Sequence, residues 1–345
     1  MRILITGGAG FIGSAVVRRA IRQGHEVLNL DALTYASCLE NLKEVENHKN
    51  YSFQQIDIRD KSDVRETLFD YKPNFLINLA AESHVDRSID SADDVLTTNV
   101  IGTYVLLDAF TKYWHENKKN MSYKFHHVST DEVFGNVENS IRFTEETKYN
   151  PKNPYSASKA SSDHLVRSWI NTYEIPAIIT NCSNNYGPYQ FPEKLIPVVI
   201  LNALNNKDIP IYGTGENIRD WIHVDDHADA LLLLLEQGKN GETYNIGSNC
   251  EMSNLSLVNL ICEILDKQLK PIKSFKSNIK FVADRPGHDL HYGIDASKLL
   301  NNYSWRPKFD IKKGVEQTVS WYLNNQEWLD NLSNRQGVGV RLGKI

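Results

Sequence analysis

Two short segments of this chain contain the residue types that acid–base chemistry requires. In the first, a hydroxyl and two adjacent carboxylates follow one another at Thr130, Asp131 and Glu132. In the second, a tyrosine precedes a lysine by four positions, at Tyr155 and Lys159. Two close carboxylates tend to divide one proton between them, so that one acts as an acid while the other acts as a base. Beside a hydride-accepting cofactor, such a set could remove a hydride and a proton and then expel water.

The spacing of Tyr155 and Lys159 places both side chains on one face of a helix. A nearby ammonium is expected to lower the pKa of the phenol from about 10 and make it a base near neutral pH. The chain has 16 tyrosines, so about one such pair is expected by chance. An exposed helix pair is therefore the alternative, just as a solvated loop is the alternative for the adjacent acids. The elements around the two segments decide between these interpretations.

The first half of the chain alternates between short apolar segments and segments with helical periodicity. Strands are predicted at residues 2–6, 26–30, 51–55, 75–78, 125–128 and 177–180. Helices are predicted at residues 12–23, 61–71, 93–114 and 158–172. This alternation indicates an α/β fold, a Rossmann-type doubly wound parallel sheet with helices on both faces. The first candidate segment then lies at the carboxyl end of a strand, where such sheets bind ligands.

The second half has shorter elements separated by prolines and glycines. We therefore predict an NAD-binding domain at residues 1–187, a smaller C-terminal α/β substrate lobe at 188–330 and an exposed tail at 331–345. One strongly apolar helix, predicted at 225–237, interrupts this pattern. It is expected to pack back onto the sheet of the first domain.

A glycine-rich loop follows the first predicted strand and opens the first predicted helix. Gly7, Gly10 and Gly13 would let the backbone approach a pyrophosphate, and the helix N-terminus would supply N–H donors and a favourable dipole. Asp31 stands 18 residues beyond Gly13, at the end of the second predicted strand. Its carboxylate can accept hydrogen bonds from both ribose hydroxyls and would repel a 2′-phosphate. The sequence therefore predicts a dinucleotide site that prefers NAD to NADP.

The glycine spacing together with the tyrosine–lysine pair resembles the extended short-chain dehydrogenase/reductase family. The resemblance implies that Tyr155 and Lys159 also contact the cofactor. The further cofactor-binding residues that it implies are Phe11, Ile12, Leu33, Thr34, Asp57, Ile58, Ala80, Ala81, Thr98 (or its neighbour Asn99) and Asn185.

Six segments resemble the family of the dTDP-glucose 4,6-dehydratases, and the likeness extends over about residues 1–330. They are STDEVFG (129–135), YSASKASSD (155–163), TNCSNNYGP (180–188), FPEKLIP (191–197), RDW (219–221) and DRPGHD (284–289). The resemblance implies a lyase that oxidises C4 of a dTDP-glucose with NAD, eliminates water across C5 and C6, and returns the hydride to C6. The product is a 4-keto-6-deoxy sugar.

The same resemblance assigns a task to each residue of the two segments. Tyr155, with Lys159 beside it, would take the proton of the sugar 4-hydroxyl while Thr130 holds that oxygen. Glu132 would then remove the C5 proton as Asp131 protonates the departing 6-hydroxyl.

Other nucleotide-sugar enzymes of this class remain alternatives. A 4-epimerase needs no acid pair after Thr130, and a UDP-glucuronate decarboxylase tends to have serine at the position of Asp131. A UDP-sugar 4,6-dehydratase also stays open, because a pocket distinguishes one methyl group by only about 1–3 kcal/mol. A non-catalytic NAD-sensing or scaffold protein would have no use for the complete set of acids, tyrosine and lysine.

Residues spread over the chain are implied, position by position, to contact the nucleotide sugar. They are Ser83, Thr130, Asn184, Lys194, Leu195, Pro210, Tyr212, Arg219, Asn254, Arg285 and His288. The physical case is best for Arg219 and Arg285, because guanidinium groups match diphosphate oxygens. A surface salt bridge is the alternative for either arginine.

Five positions depart from the usual pattern of the family. Ala32 stands where lysine is common, and Ser37 and Cys38 stand where glycine and asparagine are common. Phe134 replaces a tyrosine and Thr214 replaces an aspartate. None of these departures removes a catalytic group, so the reaction type is easier to predict than the cofactor affinity or the rate.

Composition and spacing also bear on partners. A net charge of −5 argues against non-specific nucleic-acid binding. The four cysteines have no metal-like spacing and are expected to be reduced thiols of a cytoplasmic protein. No apolar segment approaches the roughly 20 residues that span a bilayer, so no membrane partner is expected. His223 and His227 lack a third ligand, so no metal is expected.

A homodimer is expected by analogy. The helices predicted at 93–114 and 158–172 form a four-helix bundle between subunits in relatives.

Overall fold

The computed structural model describes residues 1–137, 141–332 and Val338. Most of the predicted tail, residues 333–337 and 339–345, lies outside the described residues. Residues 331 and 332 complete the last described helix, and the side chain of Leu332 is buried.

The described residues contain twelve strands and twelve α-helices, which are numbered here in chain order. The strands are β1 (Arg2–Thr6), β2 (Glu26–Asp31), β3 (Tyr51–Gln55), β4 (Phe75–Asn78), β5 (Lys124–Thr130), β6 (Ala177–Cys182), β7 (Asn184–Tyr186), β8 (Ile209–Tyr212), β9 (Ile218–His223), β10 (Thr243–Ile246), β11 (Glu251–Ser253) and β12 (Ile279–Val282). The helices are α1 (Phe11–Arg22), α2 (Lys61–Tyr71), α3 (Val85–Asp90), α4 (Asp93–Val95), α5 (Thr103–Glu116), α6 (Pro154–Tyr173), α7 (Leu195–Leu204), α8 (Val224–Gln237), α9 (Asn254–Leu269), α10 (Ser297–Asn302), α11 (Ile311–Asn324) and α12 (Gln326–Leu332).

Seven strands form one parallel sheet in the order β10–β6–β5–β4–β1–β2–β3. The chain starts in the middle of the sheet, winds outward to β3, and then crosses back to β4 and winds towards β10. The connections that leave β1 and β4 therefore diverge, which opens a crevice at the carboxyl ends of these strands. The arrangement confirms the predicted Rossmann-type doubly wound fold.

Helices cover both faces of this sheet, because its central strands are apolar on both sides. On one face, Val16 of α1 and Leu231 of α8 share a hydrophobic core with Ile5 of β1. On the opposite face, Phe110 of α5 belongs to a second core with Leu4 of β1. None of the described helices is both long enough and apolar enough to cross a membrane.

A smaller region lies beside the main sheet. It contains the three-stranded sheet β11–β9–β7 and the parallel pair β12–β8. Helices α7, α9, α11 and α12 contribute to its core, in which the rings of Tyr322 and Trp328 pack together. Strand β10 and helix α8 follow residue 187 in the chain but belong to the main sheet and its helical cover. The division of the chain at residue 187 stays a prediction.

Helix α6 begins four residues earlier than predicted, at Pro154 instead of residue 158. The side chain of Asn153 accepts a hydrogen bond from the N–H of Ser156 at 2.8 Å, and the Ser156 hydroxyl accepts one from the N–H of Asn153 at 3.2 Å. This reciprocal capping, with proline in the first turn, starts the helix before its apolar periodicity becomes visible. Tyr155 consequently lies in the first turn of the helix.

The helix predicted at 93–114 is interrupted near the site. A π-helical segment at Leu96–Gly102 separates α4 from α5. Within it, the amide of Asn99 accepts from the N–H of Glu82 at 2.9 Å and donates to the carbonyl oxygen of Glu82 at 3.0 Å. This contact with the loop after β4 occurs at the π-helical segment, and the local periodicity of the sequence cannot reveal such a contact.

Candidate active site

A cavity of about 740 Å³ opens at the carboxyl ends of β1, β4, β5 and β6. Its wall brings together the glycine-rich loop and both segments that could do acid–base chemistry. The predicted site residues that line it are Gly7, Gly10, Phe11, Ile12, Gly13, Asp31, Thr34, Asp57, Ile58, Ala80, Ala81, Ser83, Thr98, Thr130, Asp131, Glu132, Tyr155, Lys159, Asn184, Asn185 and Lys194.

The glycine-rich loop is packed too closely for side chains. Gly7 has a φ of +71°, and a Cβ at this position would lie 2.7 Å from the backbone nitrogen of Ala80. A Cβ on Gly13 would collide with the carbonyl oxygen of Gly7. Among the described residues, α1 has no side-chain cap after Gly10 and no acidic residue in its first turn. Its first N–H groups are therefore suited to bind an anion such as a pyrophosphate.

Asp31 is held in place at the end of β2. Its Oδ2 accepts a hydrogen bond from the N–H of Ala9 at 2.9 Å. Its Oδ1 accepts from the N–H of Leu33 at 2.8 Å and from the hydroxyl of Ser37 at 2.7 Å. Leu33 has a positive φ of 56° and contributes its backbone here. Sequence reasoning noted Ser37 as a departure from the family but missed this contact with the carboxylate.

Asp131 is a buried carboxyl group with a raised pKa. It opens the 3₁₀ turn Asp131–Phe134, which follows directly on Thr130 at the end of β5. Burial, followed by the negative charges of Glu132 and Asp220, raises the pKa of Asp131 well above its usual value. Its Oδ2 has no hydrogen-bond partner within the part of the chain that the structure describes. A carboxyl group with a raised pKa keeps its proton to a higher pH than an ordinary one, which suits it to donate that proton to a leaving group.

The predicted lowering of the pKa of Tyr155 is wrong for this structure. Burial, followed by the negative charge of Glu132, raises this pKa well above its usual value, whereas a hydrogen bond with Thr130 acts in the opposite direction. The ammonium of Lys159 donates to the carbonyl oxygen of Val128 at 2.8 Å, and burial lowers its own pKa. The protein environment alone therefore favours the neutral phenol, because the cost of burying its charge is the largest effect on its pKa.

The other predicted substrate residues lie outside the wall of the cavity as described. Arg285 and Tyr212 both contact the carboxylate of Asp86 in α3, at 2.8 and 3.0 Å. Arg219 is buried and donates to the carbonyl oxygen of Asp289 at 2.9 Å. Each of these two guanidinium groups thus has a protein partner, and its contact with a substrate stays a prediction.

The remaining members of this set are tied into the fold in different ways. His288 lies 2.7 Å from a carboxylate oxygen of Asp284. Leu195 begins α7, Pro210 is part of β8, and Asn254 begins α9. None of these four residues lines the cavity as described, so their predicted roles likewise stay predictions.

Several acidic and basic residues of the wall were missed from the sequence. They are Arg59, Glu82, His84, Arg87, Asp90, Asp94 and Glu193. Burial, followed by the charges of Asp94 and Glu193, raises the pKa of Glu82 to about 7. Its position directly after Ala80 and Ala81, at the carboxyl end of β4, is the signal that could have identified Glu82.

The two histidines with metal-like spacing have other partners. The Nδ1 atom of His223 accepts a hydrogen bond from the N–H of Asp225 at 3.2 Å, and its ring stacks on Phe309. The Nδ1 atom of His227 lies 2.9 Å from the amide oxygen of Asn185. No group of three or more potential metal ligands occurs in the described residues.

Fold and site together define a class of protein. A doubly wound parallel sheet, a glycine-rich loop after β1 and a tyrosine–lysine pair on the helix beside the end of β5 are the combination found in short-chain dehydrogenases/reductases. The acid pair after Thr130 adds two carboxyl groups that hydride transfer alone does not need.

The chain belongs to the family described as GDP-mannose 4,6 dehydratase, whose model matches residues 4–318. It is 52% identical over 347 residues to a dTDP-glucose 4,6-dehydratase of Salmonella typhimurium, covering 97% of this chain and 96% of that relative. The likeness to nucleotide-sugar dehydratases that was inferred from the sequence is thereby confirmed.

Solved structures show the same similarity. A Bacillus anthracis dTDP-glucose 4,6-dehydratase in complex with NAD is 42% identical, with a TM-score of 0.85 and coverage of 96% of this chain and 99% of that one. A Streptomyces venezuelae dTDP-glucose 4,6-dehydratase with NAD and TYD bound is 40% identical, with a TM-score of 0.88 and coverage of 96% and 100%.

Proposed function

We propose that this chain is an NAD-dependent hydro-lyase that converts dTDP-glucose into dTDP-4-keto-6-deoxy-glucose. The observation that carries the proposal is the acid pair, in which the buried Asp131, whose pKa is raised, adjoins the half-buried Glu132 in the same cavity as Tyr155 and the glycine-rich loop. The predicted enzyme class and cofactor are confirmed by the relatives, which are dTDP-glucose 4,6-dehydratases that include NAD complexes.

The residues present fit NAD. The close-packed glycine-rich loop and the uncapped first turn of α1 suit its pyrophosphate, and the carboxylate of Asp31 suits a ribose. When bound, NAD+ supplies a hydride acceptor at C4 of the sugar and the same hydride at C6 afterwards, so that none is consumed.

The first task of the chain is to take a proton from the sugar 4-hydroxyl. We assign this to Tyr155, with Thr130 binding the same oxygen, since both side chains line the cavity and Thr130 acts to lower the pKa of Tyr155. Lys159 is fixed to β5 through the carbonyl oxygen of Val128 and presents a positive charge beside the tyrosine. That charge favours loss of the phenolic proton at the moment when the alcohol is oxidised.

The second task is to eliminate water. A ketone at C4 acidifies the hydrogen on C5, and Glu132 removes it as a proton. The electron pair forms the C5–C6 double bond while the 6-hydroxyl leaves with the proton of Asp131. Water therefore leaves as hydroxyl plus proton, and one carboxyl group accepts a proton as the other gives one up.

The reaction predicts a specific isotope label. The protein is incubated with dTDP-glucose in heavy water, and the product is examined by NMR. We expect a 4-keto-6-deoxy sugar that carries solvent deuterium at C5, because the proton removed by Glu132 is replaced from solvent. Recovery of dTDP-galactose would instead identify a 4-epimerase, and turnover of UDP-glucose in a parallel sample at an equal rate would overturn the choice of nucleotide.

We further propose a homodimer built on α5 and α6 together with the π-helical segment between α4 and α5. Three large apolar side chains on these elements are exposed in the single chain, namely Leu96, Ile101 and Tyr173. Burial of such a surface between two copies would favour association. Light scattering at working concentration is expected to give twice the mass of the chain, and a monomer alone would contradict the proposal. Cytoplasmic location and the lack of a nucleic-acid partner stay predictions.

A further inference from the structure

A third polar residue continues the catalytic face of α6. Tyr155, Lys159 and Asp163 follow one another at intervals of four positions, which places them on one side of the helix. Asp163 is completely buried, and the mechanism proposed above gives it no task. A buried carboxylate without a partner would be costly, so its contacts indicate why it is there.

The carboxylate of Asp163 is bonded to the end of the catalytic strand. Its Oδ2 accepts hydrogen bonds from the hydroxyl of Ser129 at 2.9 Å and from the hydroxyl of Tyr149 at 2.8 Å. The amide of Asn181 lies 3.4 Å from the same oxygen and also donates to the carbonyl oxygen of Thr130 at 3.1 Å. Asp163 is thus connected directly to Ser129 and through Asn181 to Thr130, the two residues that precede the acid pair.

The other oxygen of Asp163 faces a polar chain that crosses the sheet. Its Oδ1 lies 3.3 Å from Nε2 of His127, whose Nδ1 lies 3.2 Å from the amide of Asn78. Asn78 in turn accepts from the hydroxyl of Thr6 at 2.7 Å, and that hydroxyl accepts from the N–H of Ala80 at 3.2 Å. These side chains stand opposite one another on β5, β4 and β1. This series of polar side chains therefore connects α6 to the backbone at Ala80, beside the glycine-rich loop.

Charge reinforces the link between Asp163 and Lys159. Burial, followed by the positive charge of Lys159, lowers the pKa of His127 to about 4, so this imidazole is neutral at pH 7. Burial acts to raise the pKa of Asp163, but its contacts with His127 and then the positive charge of Lys159, one turn away, outweigh burial and lower that pKa. Burial lowers the pKa of Lys159, whereas the charge of Asp163 acts to raise it.

We infer that Asp163 is a positioning residue for the dehydration, because its carboxylate holds the Ser129–Thr130 end of β5 and places a negative charge one helical turn from the ammonium of Lys159. The inference rests on the proposed function and concerns the same site. It assigns a role that acts through other residues, since Asp163 does not line the cavity.

Replacement of the charge tests this role. Asp163→Asn keeps the size of the side chain, and Asp226→Asn is the matched control. Asp226 is also a buried carboxylate, and it accepts backbone hydrogen bonds from Lys308 and Phe309 at 3.0 and 3.1 Å, away from the cavity. We expect Asp163→Asn to lower kcat by roughly 10- to 100-fold with little change in KM, because misplaced catalytic groups cost about that much.

The pH dependence separates positioning from a loss of stability. The titratable groups that face Lys159 are Asp163 and Tyr155 of α6, Cys182 of β6 and His127 of β5. Without the negative charge of Asp163, Lys159 releases its proton at lower pH. The rate of C4 oxidation, followed by reduction of NAD in single turnovers, is therefore expected to decline at a lower pH in Asp163→Asn than in the parent or in Asp226→Asn.

The outcomes distinguish the inference from the proposed function. A parent protein that forms no 4-keto-6-deoxy product would overturn the proposed function itself. An active parent in which Asp163→Asn matches Asp226→Asn in kcat and in pH profile would overturn only the role of Asp163. If Asp163→Asn does not fold, Ser129→Ala takes its place. It removes one hydrogen bond and no charge, and it should lower kcat several-fold at an unchanged pH profile; an unchanged kcat would overturn the role.

Discussion

Asp131→Asn is expected to slow water loss by roughly 10²–10⁴-fold, the range that one positioned acid contributes, while C4 oxidation changes far less. The amide cannot protonate the departing 6-hydroxyl, but the group that takes the 4-hydroxyl proton, Tyr155, is untouched. Single turnovers followed by absorbance of the reduced nicotinamide should show the reduced form accumulating. In the parent, the reduced form should be consumed as the hydride returns to C6.

The protonated state of Asp131 adds a pH test. Burial and the charge of Glu132 raise the pKa of Asp131, so the acid form that donates a proton persists above the usual pH range of a carboxyl group. The rate of water loss should therefore fall as pH rises through this raised pKa, and Asp131→Asn should lack that decline. Asp226→Asn serves as the control for loss of a buried carboxylate. Equal slowing of oxidation and water loss in Asp131→Asn would contradict the division of tasks.

Tyr155→Phe is expected to reduce C4 oxidation by roughly 10²–10⁴-fold, since it removes the base for the first step. All later steps depend on the ketone, so neither reduced nicotinamide nor deuterium at C5 should appear. The loss of rate should exceed the loss caused by removing a buried tyrosine hydroxyl elsewhere in the protein. Tyr244→Phe is a matched control, because Tyr244 is buried in β10 and its hydroxyl accepts a hydrogen bond from the N–H of Lys239 at 2.9 Å, away from the cavity.

Binding measurements show whether Tyr155→Phe acts on chemistry. NAD affinity, measured by calorimetry, is expected to stay within roughly tenfold of the parent, because one hydrogen bond contributes only about 0.5–1.5 kcal/mol. The glycine-rich loop and Asp31 supply most of the predicted contacts with the cofactor and are unchanged. If Tyr155→Phe oxidised C4 at a rate near that of Tyr244→Phe, another group would have to be the base.

The fold could be predicted largely from local patterns. The apolar segments at β1, β4 and β5 are buried on both faces, which makes them visible without any tertiary information. The start of α6 was missed because the cap of Asn153 and Ser156 lies outside the apolar periodicity. The π-helical interruption was missed because the contact of Asn99 with the loop after β4 joins positions distant in the chain.

The candidate site, like the fold, could be predicted in part from the sequence. The residue types and spacings were sufficient to predict that the glycine-rich loop, the acid pair and the tyrosine–lysine pair line one cavity, but not to predict the rest of its wall. The sequence could not show that Arg285 pairs with Asp86 or that Ser37 bonds to Asp31, because each contact joins separate elements.

The sequence by itself determined the class of fold, the family and the groups available for catalysis, because these depend on residue types and on short-range spacing. Only the tertiary structure decided the proton states of those groups. It raises the pKa values of both Asp131 and Tyr155. It also buries the carboxylate of Asp163 one helical turn from Lys159, where its charge acts on the pKa of that lysine. The physical reason is that burial and the distances between charges set a pKa, and both arise only when separate strands and helices pack together.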